Sequence, residues 1–321
     1  MTIGIAILGT GRIIETAYIP AISAVSDAKM VAVLSRDQAR ADSVAAEHNI
    51  PGAYSNLDAL LADPAVDAVI VATPDLTHEA QVIAAARAGK HILCEKPMST
   101  TPESCAPMAE AVRASGVTFA MGYDNRFHPS LRRIKELIEA DTVGPIRLTN
   151  ALVTTSVSDP TGWRAATEQS RYWAMSATST HIIDIYRWFF GDPDDVCGLF
   201  VAPVFHTDKD EIATVTMYYR DRLMAGLTAA AVLPGANRIE FYGEKGTITG
   251  EGCFGRSHPE AIVTYNNERE TIPQPDPFIA EIQDFVDAIN EKRAPLATLE
   301  DGLRNVDIMD VAWRSKSRHP V

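Results

Sequence analysis

The run Ile3-Gly4-Ile5-Ala6-Ile7-Leu8, followed at once by Gly9-Thr10-Gly11-Arg12-Ile13-Ile14, constrains the fold more than any other stretch. A continuous apolar run of this length reads as a strand covered on both faces, which belongs in a parallel sheet. A Gly-rich turn between such a strand and a helix is the arrangement that binds dinucleotides. Gly9 permits the tight turn, Gly11 lets a diphosphate approach the backbone, and the helix N-terminus offers unpaired N–H groups and a positive dipole end. Thr10, Arg12 and Ile13 complete the expected cradle. Ile14 stands where such turns usually carry a third glycine, so the helix is expected to sit slightly farther from the strand. The plainer alternative is an ordinary Gly-rich turn.

The alternation of strand and helix continues. Strands are expected at Lys29–Leu34, Val66–Ala72, His91–Cys94 and Val117–Met121. Helices are expected at 37–47, at 77–88 with Gly89 as the stop, and at 102–115. This rhythm implies a parallel sheet with right-handed crossovers. After about residue 122 the pattern changes. A helix at 129–140 precedes a strand at 146–154, 162–169 is loop-like, and 174–190 reads as one long helix ended by Gly191. Strand candidates then arrive in series at 196–204, 212–219, 223–230, 238–242, 247–249 and 261–265, which suggests a mostly antiparallel sheet. Pro273-Gln274-Pro275-Asp276-Pro277 is a linker, and helices at 278–291 and 299–315 close the chain. The reading is therefore α/β, with a dinucleotide-binding domain at 1–122 and a substrate-binding and oligomerisation domain at 123–321.

Composition narrows the function. The 321 residues suit two domains. A net charge of −13, from 29 Lys+Arg against 42 Asp+Glu, argues against a nucleic-acid partner, because the chain would repel phosphate. No apolar stretch is long enough to span a bilayer, and no signal-peptide pattern opens the chain, so neither a membrane nor an export role is expected. Cys94, Cys105, Cys197 and Cys253 lie far apart without a CxxC, which fits reduced thiols in a cytoplasmic protein rather than a disulfide scaffold or a zinc site.

The end of the second strand decides the cofactor. An acidic residue there would bind the ribose 2′-hydroxyl. Here the order is Leu34-Ser35-Arg36-Asp37. Ser35 can donate to a 2′-phosphate, and the Arg36 guanidinium can pair with it or stack on adenine, which favours NADP with NAD still possible. The alternatives are that Arg36 is a solvated charge and that Asp37 takes the ribose. Thr73-Pro74 closes the third strand with His78 just beyond, and Glu95-Lys96-Pro97 closes the fourth. Both lie at C-terminal strand ends, where open α/β sheets bind ligands. A lysine beside a nicotinamide can take or give the proton of an alcohol or carbonyl oxygen.

These residues resemble the Gfo/Idh/MocA oxidoreductases. The resemblance rests on Gly9-Thr10-Gly11, on Ala88-Gly89-Lys90-His91 leading into Glu95-Lys96-Pro97, and on Gly122-Tyr123-Asp124-Asn125-Arg126-Phe127-His128-Pro129. His181-Ile182-Ile183-Asp184 and Phe241-Tyr242-Gly243-Glu244-Lys245-Gly246-Thr247 carry the rest, and the match runs over nearly the whole chain. The resemblance implies an N-terminal Rossmann domain and a C-terminal α/β domain whose large open sheet forms homodimers or homotetramers. It implies that Lys96 is catalytic and precedes a cis peptide bond to Pro97, and that His181 acts with it. The family pattern Asp-x-Gly-x-His-x-x-Asp is altered here: Ala177 replaces the first Asp and Ser179 the Gly. That removes the carboxylate of a Lys–Asp–His relay and leaves Lys96 and His181 to share the proton work. Asp184, one turn on, could orient His181, or simply hold its own helix face.

By family position Thr73, Pro74, His78, Glu95, Pro97, Asn125, Trp163 and Arg164 are expected to contact the cofactor. Tyr123, Arg126, Tyr172 and Trp173, with Lys96 and His181, are expected to contact a small polyol or sugar. Core packing is the alternative for Tyr172 and Trp173, and a domain-junction role the alternative for Asn125 and Arg126. Gly243-Glu244-Lys245-Gly246 reads as a hairpin turn, and His181 with Asp184 is not a metal pair. The implied activity is hydride transfer between nicotinamide and a secondary alcohol or ketone of a sugar, sugar derivative or cyclitol. The alternative is a nucleotide-sensing regulatory protein of the same fold, without turnover.

Overall fold

Strand β1 (Ile3–Leu8) is buried at every position, as its unbroken apolar run requires. In the computed structural model, which describes residues 1–157, 159–165 and 170–315, it lies inside a parallel sheet. Its companions are β2 (Ala28–Leu34), β3 (Gly52–Tyr54), β4 (Ala68–Val71), β5 (His91–Glu95) and β6 (Phe119–Gly122). The six strands run in the order β3-β2-β1-β4-β5-β6, all parallel. The chain winds outward from β1 to one edge and then returns to build the other side. The direction of winding therefore reverses between β1 and β4, the place where open α/β sheets leave a crevice at their C-terminal ends.

The helices of this unit are α1 (Ile19–Ala24), α2 (Gln38–His48), α3 (Leu57–Leu61), α4 (His78–Arg87) and α5 (Pro102–Ser115). The expected stop at Gly89 is met with φ +71°, one residue past the Ala88 cap. The first helix differs from expectation. Between the Gly-rich turn and α1 the chain forms a π-helical turn over Ile14–Tyr18, closed by the Ile19 N–H on the Ile14 carbonyl five residues back. Pro20, which has no N–H to give, follows it. The short β3 and α3 are absent from the sequence reading, which has too few residues there to show a period.

Beyond the first unit the chain forms α6 (Pro129–Glu139), β7 (Ile146–Thr154) and α7 (Thr180–Phe190). Strands β8 (Asp195–Val201), β9 (Ile212–Tyr219), β10 (Leu223–Ala230) and β11 (Asn237–Gly243) follow. Then come β12 (Gly246–Glu251), β13 (Glu260–Tyr265) and β14 (Glu268–Pro273). They make an eight-stranded sheet in the order β14-β13-β12-β11-β7-β10-β9-β8, with β7 and β10 its one parallel pair. In this sheet β14 is the strand that the sequence pattern does not reveal. Its Glu-Arg-Glu-Thr-Ile-Pro run is polar because it lies at the sheet edge.

Alternation decides the two faces of this sheet. Ala151 and Val153, Val215 and Met217, Ala225 and Leu227, and Ile239 and Phe241 point inward onto Ile182, Ile183 and Tyr186 of α7. Leu148, Leu152, Tyr218, Met224, Tyr242, Leu199 and Val201 point outward and stay exposed. The helix expected over 174–190 forms, but it begins as a π-helical turn at Met175–Ser179. Part of the expected loop, residues 166–169, lies outside the described residues.

One expectation about domains is corrected. Residues 123–321 are not all in the second unit: Phe278–Leu303 join Met1–Tyr123, while Asp124–Pro277 and the chain from Arg304 form the other unit. Helix α8 (Pro277–Glu291) carries Phe278, Ile282, Phe285, Val286 and Ile289 on one stripe, buried with Ile3, Ile5, Ile7, Tyr18 and Ile22. The Tyr18 and Phe278 rings meet edge-on at 5.0 Å. An apolar stripe says that a helix is covered, but not by which sheet. Helix α9 (Leu299–Ser315) starts in the first unit and buries Ile308, Met309 and Ala312 in the second. Among the described residues no helix is long and apolar enough to cross a membrane, and none of the four cysteines is in a disulfide.

His128, which flanks the start of α6, is 1% exposed. Burial pushes its imidazole from the ordinary 6.5 down to about 4, against the pull of the Asp276 charge. The unfolded chain therefore binds this proton more readily throughout that window, and stability falls as the pH drops from about 6.5 toward 4. Urea titrations at pH 7 and pH 4.5 should show His128→Gln losing about 2–3 kcal/mol less than the unmodified protein between the two. Equal losses would mean that His128 does not carry this dependence.

Candidate active site

The Gly-rich turn departs from β1 with Gly9 at φ +118°. A Cβ there would come within 2.9 Å of the Ala72 carbonyl and 3.2 Å of Ile14 Cδ1, so no larger residue fits. At Gly11 a Cβ would meet nothing within 4 Å. This open space beside the turn is where a diphosphate fits against the backbone, and the residues present suit a dinucleotide. Arg12 is exposed and Ile13 half-buried at the start of the helix.

Residues after β2 gather around the same turn. The Thr10 and Ser35 hydroxyls lie 3.4 Å apart. Arg36 is exposed. The Asp37 carboxylate accepts the Ala39 N–H at 2.9 Å and so caps α2, a use that competes with the ribose role considered for it. Arg40, absent from the sequence reading, reaches back from the first turn of α2. Its guanidinium donates to the Thr10 carbonyl at 3.4 Å and pairs with Glu15. Arg36 precedes the extended Asp37 cap and so is not on the helix face from which Arg40 reaches the turn.

Two buried clamps shape the Lys96 turn. The Glu95 carboxylate accepts the Tyr18 hydroxyl at 2.8 Å and the Lys96 N–H at 3.0 Å. His78, fully buried, lies with Nε2 2.9 Å from the Thr73 carbonyl and Nδ1 3.1 Å from that of Pro97 and 3.3 Å from that of Met98. The ring expected at the cofactor is thus turned toward the backbone of its own unit. Both ring nitrogens face backbone carbonyls, so the imidazole ties the end of β4 to the turn after β5. The Thr73 hydroxyl is likewise engaged, with Gln81 at 2.6 Å and Thr77 at 2.7 Å, and Pro74 precedes a short 3₁₀ turn. Lys96 is buried and the Lys96–Pro97 peptide is cis. Burial pushes the neighbouring Cys94 thiol well up, which makes it a poor nucleophile.

Tyr123 ends the first unit, fully buried. In the second unit, Asp124–Phe127 form a buried 3₁₀ turn. Arg126 meets Asp184 of α7 through two parallel bonds, Nε to Oδ2 at 2.8 Å and a terminal nitrogen to Oδ1 at 2.6 Å, with both side chains almost fully buried. This engages both groups in ways the sequence does not show. Arg126 places its charge on an internal carboxylate, and Asp184 takes that guanidinium with both of its oxygens. The carboxylate facing His181 is Asp124, whose Oδ1 lies 3.5 Å from Nδ1. Nothing in the sequence around Asp124 marks it for this place. Asn125, expected at the cofactor, accepts the Gly255 N–H at 3.1 Å.

For Tyr172 and Trp173 the core alternative is the one their surroundings match. Tyr172 packs edge-on against Trp313 at 5.2 Å and Trp173 stacks with Phe205 at 6.0 Å, so both sit in the core of the second unit. The Trp173 and Met175 N–H groups donate to Asp210 at 2.9 and 2.6 Å. Burial pushes the Asp210 carboxyl up to about 6 although these bonds pull it down. Trp163 and Arg164 are half-buried and stack on each other at 4.3 Å. Gly243 pairs with Gly246 across the β11–β12 hairpin, as its sequence implies. No metal-ligating cluster is found among the described residues.

Known proteins resemble this chain over its whole length. Residues 3–123 match an oxidoreductase family with an NAD-binding Rossmann fold, and 131–249 match the Gfo/Idh/MocA C-terminal domain. Inositol 2-dehydrogenase 2 of Saccharopolyspora erythraea is 30% identical over 98% of this chain and 93% of its own. D-xylose 1-dehydrogenase (NADP(+)) 2 of Haloferax volcanii is 28% identical over 96% of each. The crystal structure of aldose-aldose oxidoreductase from Caulobacter crescentus, complexed with glycerol, superposes with a TM-score of 0.92. It covers 99% of this chain and 98% of that one at 22% identity, a likeness of fold. With both family domains matched and a relative at this identity over nearly all its residues, the chain belongs to the Gfo/Idh/MocA family of oxidoreductases.

Proposed function

We propose that this oxidoreductase moves hydride between NADP(H) and a secondary alcohol or ketone of a sugar, sugar derivative or cyclitol. Lys96 is the general acid/base and His181 assists it. The observation that carries the reading is the buried Lys96, held by the Glu95 and His78 clamps at the C-terminal edge of the parallel sheet. The names of two relatives, an inositol 2-dehydrogenase and a D-xylose 1-dehydrogenase, support the substrate class.

A bound nicotinamide supplies the hydride acceptor or donor. The protein's task is the proton. In the oxidation direction the Lys96 amine takes the hydroxyl proton as the carbonyl forms, and in reduction the ammonium returns it. Lys96→Ala should lower kcat at least about 100-fold with D-xylose or myo-inositol, whichever the unmodified protein oxidises, while NADPH binding persists. A kcat near the unmodified value would sink the mechanism.

The preference for NADP rests on Ser35, Arg36 and Arg40 beside the turn, with Asp37 engaged as a cap. Fluorescence titration should find NADPH bound more tightly than NADH. Arg36→Ala should weaken NADPH about 10-fold or more, the scale of a charge-assisted hydrogen bond, and leave NADH unchanged. Tighter NADH binding would overturn the preference.

The exposed apolar face of the large sheet is read as the contact between copies in a dimer or tetramer. Leu199 and Val201 are 69% and 56% exposed, and Leu148 pairs in register with Met224 on the same face. Sedimentation should show the unmodified protein as an oligomer that Leu199→Glu with Met224→Glu converts to monomer. A monomer from the outset would dispose of the idea.

A further inference from the structure

We propose that Asp124 is the positioning residue of His181, fixing its imidazole and stabilising it when it carries the second proton. The inference rests on the reading of His181 as the assisting proton group. It comes from how two segments of the second unit answer each other. The turn Asp124–Phe127 carries an anion and, two residues on, a cation. Helix α7 carries His181 and, one turn on, Asp184. Arg126 takes Asp184 through two bonds, both side chains at or below 3% exposed. That doubled contact sets the register of turn against helix and uses the carboxylate on His181's own helix. One turn before His181 stands Ala177, whose methyl offers no charge. Asp124 then faces His181, Oδ1 to Nδ1 at 3.5 Å, with both side chains largely shielded from water at 8% and 15% exposed.

The separation is long for a hydrogen bond and right for an ion pair once the ring is protonated. When His181 accepts a proton, the new charge lies on the imidazolium, opposite a carboxylate that stays ionised. Asp124 itself neither gives nor takes the proton. A carboxylate in this relation to a histidine favours the charged ring and holds its orientation. The two neighbouring charges on these elements, Arg126 and Asp184, pair with each other, and Asp124 faces the ring from the turn.

The test uses full-length protein with NADPH bound and ring-labelled histidine, the His181 resonance being assigned by its loss in His181→Gln. In Asp124→Asn the His181 titration midpoint should fall by roughly 1 unit or more, the scale of a lost opposite charge. In Asp124→Glu, which restores the charge, it should stay near that of the unmodified protein. The acid limb of the kcat profile should move with it, and kcat/KM should fall about 10-fold or more at neutral pH while NADPH affinity holds. An unmoved midpoint in Asp124→Asn overturns the inference, and so does Asp124→Glu behaving like Asn. A midpoint that moves while the kcat profile does not keeps the pair and refutes instead the assisting role of His181. If Asp124→Asn does not fold, Asp124→Ser carries the same expectations.

Discussion

The bidentate pair between Arg126 and Asp184 is the interaction on which the second unit's candidate site depends. Two charges almost wholly removed from water are tolerable only if each satisfies the other in good geometry, and the parallel bonds at 2.6 and 2.8 Å provide that. Taking away one partner of such a pair costs about 3–5 kcal/mol, so the alternatives to this pairing are poor. The consequence is positional. With the turn and α7 locked together, Asp124 is brought to His181. Arg126, which the sequence offers as a substrate contact, is bound here to the carboxylate of Asp184.

The first unit reaches a comparable result with backbone acceptors rather than charges. Gly9 lets β1 turn into its helix because a side chain there would strike the Ala72 carbonyl at the end of the neighbouring strand. His78 then joins the carbonyls of Thr73, Pro97 and Met98, and Glu95 joins Tyr18 to the Lys96 N–H. The reversal of strand order beside β1 makes the crevice, and these clamps place a buried lysine at its rim. Each unit has a helix that begins with a π-helical turn, Ile14–Tyr18 in the first and Met175–Ser179 in the second.

Much of this was legible in the sequence. The run Ile3–Leu8 with its glycines announced the parallel sheet, the change of rhythm after β6 announced the antiparallel one, and Glu95-Lys96-Pro97 stood out at a strand end. What failed did so for identifiable reasons. The polar strand β14 hid because an edge strand with water on it carries no apolar alternation. Tyr172 and Trp173 read equally well as sugar platforms or core, since a ring's chemistry is the same in either place, and only their contacts with Trp313 and Phe205 separate the two. His78 looked like a ligand because its motif position is near the cofactor end, whereas its ring faces inward to three carbonyls.

The sequence by itself determined the element types, the two sheet classes and the Gly-rich turn, and it singled out Lys96 and His181 as the residues proposed to move protons. These depend on local period, on glycine's lack of a Cβ and on side-chain chemistry, all of which are properties of short segments. Tertiary structure alone decided that α8 covers β1, that Arg40 reaches the Gly-rich turn, and that Arg126 and Asp184 bind each other while Asp124 faces His181. An ionisable residue carries the same charge wherever it stands. Which partner it meets depends on the register of segments dozens of residues apart, and that is settled only when burial forces every charge to find its counterpart.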